Sequence, residues 1–79
     1  MTKSIYSKTY RTLQRLLIDG RKEAELTQAQ LGRKLNKPQS FVSKVETGER
    51  RLDVVELLAY LQGIGYDPVR LLRSLQRTR

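Results

Sequence analysis

Capping and breaking signals cut this chain into pieces that fit only a set of short helices. Thr27 followed three residues on by Gln30, and Asp53 followed by Glu56, each have the form of a capping box. In that motif the first side chain takes the third residue's backbone N–H, and the third side chain reaches back to the cap. Pro38 keeps Lys37 out of the helical region, Gly48 and the pair Gly63 and Gly65 offer left-handed stops, and Asp67 with Pro68 opens a new helix. Five helices are expected. They run from about Ser7 (the cap) to Glu25, from Thr27 to near Asn36, from Gln39 to Thr47, from Asp53 to a close at Gly63 and Gly65, and from Asp67 to a frayed end over Arg77 to Arg79. Each carries an apolar stripe at helical spacing: Tyr10, Leu13, Leu16, Leu17 and Ala24; Ala29, Leu31 and Leu35; Phe41, Val42 and Val45; Val54, Val55, Leu57, Leu58 and Leu61; Val69, Leu71, Leu72 and Leu75. Gly20 interrupts the first as a weak helix former. No stretch alternates long enough for a strand, so the fold class is all-α, a compact five-helix domain.

At 79 residues the chain holds one domain, 1–79, with a small core. Sixteen Lys and Arg against eight Asp and Glu leave a formal charge of +8. Such a balance favours a polyanionic partner: nucleic acid first, with an anionic membrane surface or an acidic protein as the alternatives. The cations come in acid-free blocks, with Lys3, Lys8, Arg11 and Arg15 first, Arg33, Lys34, Lys37 and Lys44 second, and Arg70, Arg73, Arg77 and Arg79 last. A basic N-terminal arm, about residues 1–7, is either an arm on DNA or a solubilising tail. With no His and no Cys, the chain lacks the commonest general base, thiol nucleophiles and most transition-metal ligands. Asp53 and Glu56 are better explained as a cap than as a catalytic pair. The expectation is no enzyme, no metal and no cofactor. Nothing approaches the ~20 apolar residues of a membrane span, so the expected location is cytoplasmic.

The function lies around Asn36. Over residues 28–47 two short helices meet across a turn of a few residues, the arrangement of a helix-turn-helix. Leu31 and Leu35 point down from the first helix. Gly32 sits where a large side chain would clash, and Asn36 tolerates the left-handed conformation that the turn needs. Val42 and Val45 anchor the second helix from beneath. Burying these leaves Gln39, Ser40, Ser43 and Lys44 on the outer face. They are hydrogen-bonding groups and one cation, suited to base edges and phosphates in a major groove. Arg50 and Arg51 follow in a loop, either reaching the DNA backbone or simply exposed.

The run TQAQLGRKLNKPQSFVSKVETGERRLDVVELL resembles the Cro/phage-repressor type of helix-turn-helix domain, the XRE family. The likeness is most specific at LTQAQL, PQSFVSKVETGER and RRLDVVELL, and extends more loosely back to RKEAEL and forward to GIGYDP. It implies a bacterial or phage regulator of transcription, associated with the nucleoid and most often a repressor. Such a protein binds double-stranded DNA at a palindromic operator as a homodimer. The resemblance further implies that Gln28 holds a phosphate and braces the recognition helix. It assigns base reading to Gln39, Ser40 and Lys44, with Ser43 beside them. It pairs Glu46 with Arg21, a salt bridge clamping the recognition helix to the first helix. Asn36 stands where the family usually has Gly, Lys37 where an apolar residue is usual, and Pro38 where a capping Ser or Thr is common. Lys37 is thereby an added phosphate contact. The implied dimer surface lies near the fifth helix, on Tyr66, Leu71, Leu72 or Leu75.

A rival reading makes the domain chiefly a protein-interaction partner. It would be the antitoxin of a toxin–antitoxin pair, docking through Leu71 to Leu75 with DNA binding secondary. An apolar patch left open there favours that reading, and a buried one removes its basis. Binding of single-stranded or structured RNA lacks interleaved surface aromatics, since Phe41 is expected to be buried and Tyr6, Tyr10 and Tyr60 to lie at the core edge.

Overall fold

The computed structural model describes the backbone of residues 3–78 and the side chains of residues 8–78. Its elements are five helices: α1 (Lys3–Glu23), α2 (Gln28–Leu35), α3 (Gln39–Thr47), α4 (Val54–Ile64) and α5 (Pro68–Arg77). Among the described residues there is no strand, and no helix is long and apolar enough to cross a membrane.

Helix α1 starts at Lys3, so Ser7 is not its cap and most of the expected arm is helical backbone. Nothing between Lys3 and Lys8 breaks a helix, and extending an anchored helix is far easier than nucleating one. The side chain of Lys3, and that of Tyr6, lie outside the described residues. At its other end α1 stops at Glu23, and Glu25 turns left-handed with φ 60°. The Leu26 N–H then donates to the Arg21 carbonyl at 3.1 Å, a Schellman closure made without Gly or Asn.

The remaining boundaries follow the punctuation. Thr27 Oγ1 accepts the Gln30 N–H at 3.0 Å, and Gln30 Oε1 accepts the Thr27 N–H at 2.8 Å. Asn36 is left-handed (φ 60°, ψ 42°), and the Lys37 N–H donates to the Gly32 carbonyl at 2.8 Å. Asp53 and Glu56 form the second capping box. The Asp67 carboxylate accepts the Val69 N–H at 3.1 Å, with Pro68 in the first turn of α5. Gly63, expected to close α4, lies inside it. A Cβ there would stand 3.0 Å from Leu31 Cδ1 and 3.3 Å from Leu35 Cδ2, so the glycine lets α4 approach α2. Gly65 alone makes the stop, at φ 71°.

One core gathers Leu13 and Leu17 of α1, Leu31 of α2, Val42 and Val45 of α3, Tyr60, Leu61 and Ile64 of α4, and Leu71 of α5. Helix α1 is its spine. Its 21 residues span about 31 Å at 1.5 Å each, and it packs on α3, α4 and α5.

Three expected stripes are corrected. Tyr60 sits in the middle of the core rather than at its edge. Helix α4 is apolar nearly all round, and only Leu57, Tyr60, Leu61 and Ile64 face inward; Val54, Val55 and Leu58 are 72%, 76% and 49% exposed. On α5, Leu71 is wholly buried and Leu75 partly so, whereas Val69 and Leu72 are more than half exposed. Leu71 therefore cannot contact a second copy. Ala24 is exposed too, because α1 has already ended.

Candidate nucleic-acid interface

Helix α3 buries Val42, Val45 and Glu46, and turns Gln39, Ser40 and Lys44 to solvent. Ser43 is half-buried at the edge of the outer face. Thr47 is exposed, seven residues after Ser40 and four after Ser43, and so lies on the same face. The sequence reading missed it, although that spacing was the available signal.

What holds this face in place is a chain of polar contacts through a buried carboxylate. Glu46 Oε2 accepts from Arg21 Nε at 2.5 Å, and Glu46 Oε1 accepts from Arg21 Nη2 at 3.1 Å and from Gln28 Nε2 at 2.9 Å. Arg21 Nη1 donates to the Leu26 carbonyl at 2.8 Å, and Gln14 Nε2 to the backbone carbonyl of Glu46 at 3.1 Å. The Arg21 and Glu46 side chains are only 12% and 7% exposed. The hydrogen bonds to Glu46 raise the guanidinium's pKa above its ordinary value. Gln39 Nε2 then donates to Gln28 Oε1 at 3.3 Å. The chain thus runs from α1 to the last turn of α3, on to the first residue of α2, and back to the first residue of α3. It fixes the rotation of α3 about its own axis. It leaves the Gln39 carboxamide oxygen, and one N–H each of Gln28 and Gln39, for another partner.

The surrounding cations divide into engaged and open ones. Arg50, expected to be free to face a backbone, instead pairs with Glu56: Nη2 to Oε2 at 2.6 Å and Nη1 to Oε1 at 3.1 Å. That pairing, with the backbone N–H of Asp53, holds the Glu56 carboxyl down at about 2 against an ordinary 4.5. The Arg50 guanidinium and the Lys37 ammonium both lie against the half-buried Phe41 ring, at 5.1 Å and 5.3 Å from its centroid. Arg51 is exposed, with its guanidinium 4.1 Å from the Tyr10 ring centroid, so α1 positions it too. Neither ion pair among the described residues involves Lys37, Lys44 or Arg51. Arg33 is exposed and Lys34 Nζ donates to the Gly63 carbonyl at 2.9 Å. The face is polar and cationic, and its groups can donate to and accept from base edges and neutralise phosphates.

A helix-turn-helix family model matches residues 17–71, which include all of α2, α3 and α4. The chain is similar to a solved structure described as an XRE-family like protein from Pseudomonas syringae pv. tomato str. DC3000. The identity is 47% and the TM-score 0.91, over 96% of this chain and 93% of that one. No curated protein matches.

Proposed function

Because the chain belongs to the XRE-type helix-turn-helix family and is a DNA-binding transcription regulator, we propose that it acts as a repressor reading one duplex sequence with the outer face of α3. The observation that carries this reading is the contact chain Arg21–Glu46–Gln28–Gln39, which holds a solvent-facing polar helix in one orientation. Gln39, Ser40 and Lys44 contact base edges, with Ser43 and Thr47 at the margin. Gln28, Lys37 and Arg51 hold phosphates, and Arg50 organises the loop through Glu56. Two copies bind a palindromic operator with half-sites about one helical turn, ~34 Å, apart. With Leu71 buried, the large apolar groups open to a second copy are Val54, Val55 and Leu58 on α4 and Val69 and Leu72 on α5. The antitoxin reading loses Leu71 from its docking face and keeps Leu72, with Leu75 partly buried.

Selection of the purified protein on randomised duplex DNA, at two salt concentrations, tests the proposal. Enrichment of a two-fold symmetric site, weakened sharply by salt, is expected. Salt-sensitive binding with no enriched sequence would remove the base-reading role of α3. Lys44→Ala should weaken specific binding more than non-specific binding, and an equal loss on both would make Lys44 a phosphate contact only.

A further inference from the structure

Beyond the α3 face, two basic rows share one spacing: Lys8, Arg11 and Arg15 on α1, and Arg70, Arg73 and Arg77 on α5. All six residues are exposed. The α1 row runs into Asp19 one turn later. The α5 row meets no acid within its helix; Asp67, at its cap, accepts the Val69 N–H through one oxygen. Neither ion pair among the described residues involves the three arginines; Arg70 lies 5.5 Å from the Tyr66 ring centroid and lines one groove with Glu23 and Asp67. Like charges three and four residues apart destabilise a helix, and one carboxylate, Asp67, lines the groove that the three share. A bound polyanion would offset the rest.

Helices α3 and α5 bury their inner residues, Val42 and Val45 on one and Leu71 on the other, in the same core. Helix α5 packs on α1, whereas α3 packs on α1 and α2, so the α5 row is a surface separate from Gln39, Ser40 and Lys44. Resting on the reading of α3 as the DNA-reading face, we propose that Arg70, Arg73 and Arg77 form a second, sequence-independent site for duplex DNA. A protein held at its operator thereby captures another DNA segment. From Arg70 to Arg77 the row runs about 10.5 Å along the helix axis, close to three phosphate steps of one strand at ~3.4 Å. Arginine engages phosphate oxygens two at a time. A single strand lacks a stacking platform here, because Arg70 already lies against Tyr66. Val69 and Leu72 of this helix are exposed beside the row, so an anionic lipid surface is the outcome against which the test is set.

The test is a capture assay. Beads carry the duplex enriched in the selection above and are loaded with the full chain. A labelled duplex of mixed sequence is then offered. The wild-type protein captures it, and capture falls about 40-fold between 50 and 200 mM salt, as expected for three phosphate contacts. The Arg70→Gln/Arg73→Gln/Arg77→Gln variant stays on the beads but loses capture, and the corresponding triple Lys variant keeps it. Capture by the Gln variant at the wild-type level overturns the proposal. So does retained wild-type protein that captures nothing, or that holds vesicles of anionic phospholipid in place of duplex. Failure of the wild type to bind the bead duplex would sink the α3 reading and this one with it.

Discussion

Replacing Arg21 by Met should cost far more than the loss of one surface ion pair. The substitution leaves the Glu46 carboxylate, 7% exposed, with Gln28 Nε2 at 2.9 Å as its remaining side-chain donor, and takes the Nη1 donor from the Leu26 carbonyl. Removing one partner of a buried pair costs about 3–5 kcal/mol, because the other charge stays buried and uncompensated. A domain of this size is stable by roughly 4–12 kcal/mol, so a quarter or more of the total is at stake. A loss of ~3 kcal/mol lowers the melting temperature by about 12–24 °C. The double variant Arg21→Met/Glu46→Leu leaves no stranded charge and should recover most of the loss, since apolar replacement of a buried pair is often neutral or stabilising. Urea unfolding followed by far-UV circular dichroism gives all four stabilities, of the wild type, Arg21→Met, Glu46→Leu and the double variant, provided the denaturant slope is unchanged. A cost under ~1 kcal/mol for Arg21→Met would put the pair among exposed ones. A double variant as unstable as the sum of the single ones would mean that the two side chains are not coupled. Either result refutes the clamp.

Gly32→Ala brings a Cβ to 2.8 Å from the Lys37 carbonyl oxygen and 3.3 Å from Pro38 backbone atoms, which a tight turn cannot easily move. A loss of about 1–3 kcal/mol is expected by calorimetry, with weaker operator binding. The Glu56 carboxyl is lower folded than unfolded, so the stability it contributes is complete above about pH 4.5 and is lost as the pH falls through about 2. Melting temperatures of wild type and Glu56→Gln, which keeps the capping geometry, should converge toward pH 2 and separate above pH 4.5. Val55→Glu places a charge on a side chain 76% exposed; it should leave monomer stability within about 0.5 kcal/mol while reducing two-copy occupancy of the operator in sedimentation. Unchanged stoichiometry would move the dimer contact off α4.

The sequence was most informative where local chemistry decides the backbone. Both capping boxes, the left-handed Asn36 and the Asp67–Pro68 start are settled within four residues, and the structure places each of them as read. It was least informative where tertiary packing decides. Helix α4 is apolar on almost every side, so its periodicity could not distinguish buried Tyr60 from exposed Val55. Gly63 looked like a stop because its reason is a neighbour, Leu31 of α2, that lies thirty-two residues back. The end of α1 is unmarked because Glu25 takes a conformation more usual for Gly or Asn. At the interface, the outer face of α3 could be read from what must be buried. The inward turn of Arg50 could not, since it depends on where α4 puts Glu56.

The separation of α3 into an inner and an outer half bears on how such a domain changes its target. Ser40, Lys44 and Thr47 send nothing into the core, so alterations there leave the scaffold intact. Such a protein resembles a tool holder with an exchangeable bit, and a drifting operator can be followed by one or two substitutions. Gln39 is the exception. It steadies Gln28, which steadies Glu46, so on the proposed reading a change at that position would alter both what is recognised and how firmly the reader is held. Among descendants with diverged targets, position 39 should therefore be the slowest of the outer-face positions to move.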